Sequence, residues 1–181
     1  LLRAGDSADF IVVDNLTDFT IEQTWLDGKL VAEKGASLIP DLRSEHINHF
    51  DCRRKKAEDF QCKTDESASQ LRIIEALEGQ LITNQLTESI PVKDGLIVAD
   101  PDRDILKIAV INRYQDSKPE IAFIRNFGLK SGAIASTVAH DSHNIIVVGC
   151  DDDSITEAVN LLIDTTGGIS AVGNGEKLVL E

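Results

Sequence analysis

The chain has 181 residues, 42% of them hydrophobic, and a formal net charge of −13. That is enough apolar material for one ordinary domain, or one with an appendage, burying roughly 70% of the surface its unfolded form exposes. The acidic balance argues against binding nucleic acid or an anionic membrane through a general basic face, and apolar runs such as Ile145–Val148 and Leu161–Ile163 fall far short of the ~20 residues a bilayer span needs. Cys52, Cys62 and Cys150 are an odd set at irregular spacing, which suits reduced thiols in a cytoplasmic protein better than a disulfide framework. The chain begins at Leu1 and contains no methionine, which leads us to expect a piece of a longer protein.

The first segment, residues 1–35, reads as β structure. Asp9–Asp14 is a short apolar strand between acidic ends, and Glu22–Val31 has strand-like halves around Asp27-Gly28, a strong hairpin signal. Two or three strands cannot close a core alone, so their missing partners are expected outside this chain. Residues 36–60 read as a polar linker. The basic run Arg53–Lys56 within it is expected to be a solvated loop or exposed turn. His46, His49, Cys52 and Cys62 do not form a standard zinc pattern.

Residues 61–181 carry the main domain. Ser67–Leu77 places apolar side chains at 71, 73, 74 and 77 ahead of Gly79, which reads as a short helix, although a strand fits too. Gln80–Gln85 resumes as a strand. Ile105–Asn112 is a buried strand rich in β-branched residues, Asp116–Glu120 is a loop, and Ile121–Phe127 and Gly132–Ala139 follow as apolar segments. Ile145–Gly149 is a buried strand by composition. Asp151–Asp153 and Ser154 offer helix N-caps, with a helical apolar face at 155, 158, 159, 162 and 163 and a stop at Gly167-Gly168. Ile169–Val172 and Lys177–Leu180 flank Gly173-Asn174-Gly175 as a hairpin. The fold class that follows is α+β, a mixed β-sheet domain with a few helices.

Five polar side chains in a row, His140, Asp141, Ser142, His143 and Asn144, stand between apolar GAIASTVA and apolar IIVVG. Such a run implies a polar cluster at the ends of buried strands, where sites are often built. A histidine moves protons near neutral pH or binds metal. Asp141 can orient a histidine or accept from an exocyclic amine, and Ser142 and Asn144 both donate and accept. The competing reading is a tight turn whose Asp, Ser and Asn satisfy backbone groups. Asp141-Ser142-His143 is not a hydrolase triad, since no G-x-S-x-G elbow accompanies it. The glycines of 167–175 form no dinucleotide or phosphate-loop fingerprint.

Two stretches carry a resemblance. Gly5-Asp6-Ser7-Ala8-Asp9 with Phe10–Asp14, then Trp25-Leu26-Asp27-Gly28-Lys29-Leu30-Val31, is similar to the late part of amidohydrolase-superfamily enzymes, where the chain returns to a small β-sandwich. Asp104–Val110, Phe127-Gly128-Leu129, Gly132–Ala135 and above all Val138–Asn144 (VAHDSHN) resemble the carboxy-terminal domain of bacterial adenine deaminases. So does Ala158-Val159-Asn160 followed by Gly167-Gly168.

The resemblance implies that the parent enzyme removes the 6-amino group of adenine hydrolytically, giving hypoxanthine and ammonia. It also implies a manganese or iron centre in a barrel domain, whose H-x-H ligand motif is absent from this chain. His140-x-x-His143 is not that pair, so no metal is expected in this segment. Adenine, the barrel and further copies of the subunit are the implied partners. The expected roles are substrate-proximal chemistry for His140, Asp141 and His143, and substrate binding for Ser142 and Asn144, in a segment inactive alone. The alternatives are a structural or assembly domain with no direct catalytic role, or a related enzyme acting on another cyclic amidine or amide.

Overall fold

A computed structural model describes residues 3–40, 48–64, 69–89 and 91–181. The chain divides into two compact units, Leu1–Ile47 and Asn48–Glu181.

The first unit is a four-stranded antiparallel meander: β1 (Phe10–Val13), β2 (Ile21–Leu26), β3 (Lys29–Glu33) and β4 (Ala36–Ser37). Asp27 and Gly28 both take positive φ, 48° and 70°, the backbone of the two-residue turn expected between β2 and β3. Phe10 pairs with Trp25 across β1 and β2, and their rings stack with centroids 5.6 Å apart. None of this unit's described residues is buried, as expected of a sheet too small to close its own core.

The second unit contains β5 (Cys62–Lys63), β6 (Gln70–Ala76), β7 (Thr83–Ser89), β8 (Val92–Lys93), β9 (Leu96–Ile97), β10 (Leu106–Ile111), β11 (Glu120–Arg125), β12 (Ala133–Ser136), β13 (Ile145–Gly149), α1 (Asp152–Asp164), β14 (Ile169–Gly173) and β15 (Glu176–Leu180). Eight of these strands form one sheet in the order β15-β14-β12-β13-β10-β11-β6-β7, and β5, β9 and β8 form a small second sheet. In the large sheet only the β6–β11 pair is parallel. The α+β reading, with a mixed sheet and few helices, therefore holds.

α1 starts where the acidic cluster predicts: the Asp151 carboxylate accepts from the Ser154 amide at 2.7 Å. Asp152 and Asp153 in the first turn complement the positive end of the helix dipole. Its inner face, Ile155, Ala158, Val159 and Leu162, is fully buried against Ala109, Ile111, Ala133, Ala135, Ile145 and Val147 of the sheet. Each large aliphatic side chain so buried contributes about 1.5–3 kcal/mol. Gly149 lets the helix approach closely, since a Cβ there would lie 2.5 Å from the Ile155 side chain and 2.8 Å from Ala133 Cβ. The hairpin β14–β15 turns on Asn174 and Gly175, both left-handed.

Two expectations need correction. The stretch ending at Leu77 is the strand β6, not a helix. Ile73 packs with Phe123 on one side of the sheet, and Ile74 against the Leu106–Ile124–Val148 cluster on the other. A strand buried on both faces places apolar residues next to one another, so its spacing imitates a helix. The basic run is not wholly solvated either. Arg53, Arg54 and Lys56 are exposed, but Lys55 is buried, its ammonium 2.6 Å from an Asp116 carboxylate oxygen and 2.9 Å from the Ser117 carbonyl. Asn160 of α1 grips the same residue by its backbone, accepting from Lys55 N at 2.8 Å and donating to Lys55 O at 2.9 Å. That clamp lays residues 48–60 along the helix and draws the lysine inward.

Candidate functional site

The run His140–Asn144 occupies the loop that joins β12 to β13. β13 pairs with β10 so that Ile145 faces Ile111. The residues after β10, Asn112-Arg113-Tyr114, therefore reach the same end of the sheet as Asn144. Antiparallel register, rather than sequence proximity, makes these two loops neighbours.

The loop is built around one turn. The Ala139 carbonyl accepts from the amides of both Ser142 (3.1 Å) and His143 (2.6 Å). His143 then takes a left-handed φ of 52° and reverses the chain into β13, as a closing residue does at the end of a helical turn. Ser142 and Asn144 brace this shape. The Tyr114 hydroxyl donates to the Ser142 carbonyl at 2.9 Å, and the Asn144 side-chain carbonyl accepts, at 3.4 Å, from the Arg113 amide. Asn112 in turn accepts from the Tyr114 amide at 2.9 Å.

Behind Tyr114 stands a second tier. His49 stacks on its ring with centroids 6.2 Å apart, and His49 Nε2 lies 3.3 Å from its carbonyl. The Arg113 guanidinium lies 5.0 Å from the Tyr114 ring centre and 5.9 Å from that of Phe50, distances at which a cation is attracted to a ring face. The Asp51 amide donates to the Arg113 carbonyl at 2.7 Å. Thus the segment clamped by Asn160 reaches the site loop through His49, Phe50 and Tyr114.

The five side chains divide by environment. His140, Asp141, Ser142 and His143 are exposed, and Asn144 is half-buried. His140 Nδ1 and an Asp141 carboxylate oxygen are 3.4 Å apart, with both side chains more than nine-tenths exposed (91% and 93%). A pair so open to water contributes little to stability. Those two side chains, with His143, are the ones the loop leaves free to meet another molecule. Ser142 and Asn144 are partly engaged in holding the loop.

Sequence reasoning did not find Tyr114 or Arg113, and it considered His49 only as a zinc ligand. The only signal was that Asn112–Gln115 follows a buried strand, as the polar run itself does.

Among the described residues, no three or more His, Cys, Asp or Glu side chains come together in a group that could hold an ion. His49 stacks on Tyr114, Cys52 is buried beside Lys55, and burial raises the Cys52 thiol pKa. His46 lies outside the described residues. Among the described residues, no helix is long and apolar enough to cross a membrane.

Residues 80–180 match the family model described as the adenine deaminase C-terminal domain. The chain is 46% identical over 180 residues to an adenine deaminase of Salinibacter ruber, covering 99% of this chain and 33% of that protein. It is 49% identical to one from Sulfurovum sp. over 180 residues, 99% of the chain and 32% of the relative. With one from Methanosarcina mazei it shares 44% over 189 residues, 99% of the chain and 34% of the relative. The chain spans about a third of the length of these curated relatives. The resemblance read from VAHDSHN is thereby borne out, and the chain belongs to the adenine deaminase C-terminal domain family.

Proposed function

We propose that this chain is the carboxy-terminal part of an enzyme that hydrolyses adenine to hypoxanthine and ammonia, and that its β12–β13 loop forms one wall of the purine pocket. The observation that supports this is the free presentation of His140, Asp141 and His143 on a loop braced from behind by Tyr114 and Arg113. A rigid loop with unspent polar side chains is suited to meeting a substrate held by another part of the polypeptide. In this role the Asp141 carboxylate accepts from the exocyclic amine of the purine. His140 and His143 exchange protons with ring nitrogens or the leaving ammonia. Ser142 Oγ and the Asn144 amide supply further hydrogen bonds at the pocket rim.

A manganese or iron ion would supply an activated water for such a hydrolysis. The donors on the described residues do not fit such an ion, so its ligands are assigned to the remainder of the polypeptide. The segment alone is then inactive.

The test is adenine turnover by the full-length protein carrying His140→Ala or Asp141→Ala. Each should lower kcat/KM by at least about tenfold, which corresponds to the loss of one substrate-directed hydrogen bond. Unchanged kcat/KM in both folded variants sinks the reading. The use of Ser142 and Asn144 in bracing favours one rival, a structural or assembly domain. In that case the same variants lose stability or change oligomeric state while turnover per folded enzyme persists.

A further inference from the structure

α1 covers one face of the eight-stranded sheet. The opposite face is also apolar. Its outward positions on the central strands are Ile108 and Val110 of β10, Ile134 of β12, Ile146 and Val148 of β13 and Ile169 of β14, by the alternation of side chains along each strand and the register between them. Antiparallel sheets with one solvated face alternate apolar with polar residues; these strands do not. Among the described residues, Leu129 packs on the Leu106–Ile124–Val148 part of this face and Phe127 borders the rest. An open groove of about 330 Å³ remains, lined among others by Ile134, Ile146, Ile169 and Phe127. Ile169 is 45% exposed and Ile134 39%. Leu178 and Leu180 of β15 extend the patch, at 67% and 69%, on the side shared with Ala171 and Ile169. A contiguous apolar surface of this kind marks an interaction site.

We propose that this helix-free face is the docking surface for the catalytic part of the same polypeptide, the two-thirds of the relatives' length that the match leaves uncovered. The inference rests on the reading of the chain as part of a longer deaminase. Two observations select this occupant over a second copy. The matching domain is C-terminal in its family, and the chain that carries it covers 33% of the Salinibacter relative. The remaining length is therefore tethered to it, and a tethered partner meets the surface at an effective concentration on the order of millimolar, far above that of a separate molecule. The groove is also continuous with the candidate site, because Val138 and Ala139 line it immediately before His140. Whatever covers the sheet face therefore lies against the loop. Docking the catalytic part there delivers His140–Asn144 to it, and the apolar contact supplies the association that an exposed polar loop lacks.

The experiment uses the full-length protein with Val138→Cys, Ile169→Cys or Leu178→Cys, each read peptide by peptide for maleimide labelling in the native and urea-unfolded states. Val138 is 64% exposed in this unit, so an uncovered face would let its replacement label within about tenfold of the unfolded rate. Docking predicts labelling at least about a hundredfold slower than in the unfolded state. A benzophenone attached at Val138→Cys should cross-link within one polypeptide to peptides outside the matched region. Labelling near the unfolded rate overturns the proposal. So do cross-links that join two copies, which would give the face to a subunit interface. Neither readout depends on turnover, so a failure here is distinguishable from a failure of the His140 and Asp141 variants.

Discussion

Asn160→Ala probes how the linker segment is tied to the fold. The Asn160 side chain is only 7% exposed and makes two hydrogen bonds to one residue, accepting from Lys55 N and donating to Lys55 O. Alanine removes both and leaves two backbone groups without partners at a buried position. Each such group costs about 1–3 kcal/mol, so the expected loss is about 2–6 kcal/mol, toward the lower end if water reaches one of them. That is a large share of a stability on the order of 5–15 kcal/mol. The assay is equilibrium urea unfolding, with an unchanged m-value showing that the same transition is measured. Hydrogen exchange at the amides of residues 48–56 should accelerate, because the clamp holds that segment. Asn160→Asp sharpens the test. It keeps the acceptor for Lys55 N–H but sets a buried carboxylate against Lys55 O, so at neutral pH it should cost at least as much as alanine. Burial raises that carboxyl's pKa, so its deficit should shrink on acidification. An Asn160→Ala protein within about 0.5 kcal/mol of the parent would refute the reasoning, since that is less than a single unpaired group costs.

Other expectations follow from the same geometry. Gly149→Ala should destabilise by about 1–3 kcal/mol in thermal or urea unfolding, because its Cβ would overlap Ile155 and Ala133 in a packed core. Tyr114→Phe removes the donor to the Ser142 carbonyl; a cost of about 0.5–1.5 kcal/mol should appear as faster amide exchange confined to Ala139–Asn144 and its neighbours. The Lys55 ammonium, hydrogen-bonded to the Asp116 carboxylate, holds its pKa below the ordinary value of 3.8. The unfolded state therefore binds more protons in this range, and stability rises with pH. The pair's contribution is complete well above 3.8 and lost as pH falls through the lowered folded value. Asp116→Asn should accordingly flatten the acid limb of the stability profile below about pH 4, and an unaltered limb would count against the pair.

Local chemistry made much of this protein legible from sequence. The turns at Asp27-Gly28 and Asn174-Gly175, the N-cap at Asp151 and the buried strands β10 and β13 each depend on a few adjacent residues, and each appears where those residues place it. VAHDSHN pointed to the family for a similar reason, since a contiguous run survives being read alone. What failed depended on distant partners. The helical spacing of residues 71–77 belongs to a strand because β7 and β11 flank it, and Lys55 is buried because Asn160 and Asp116 receive it.

The candidate site divides in the same way. Sequence determined that five polar residues interrupt an apolar stretch and therefore sit between strands. Only the tertiary structure decided which of them are free. The pairing of β10 with β13 brings Tyr114 and Arg113 beside the loop, where they engage Ser142 and Asn144 and leave His140, Asp141 and His143 facing outward. Sheet register sets that outcome. It joins residues about thirty apart in sequence, and no local pattern in either loop encodes it.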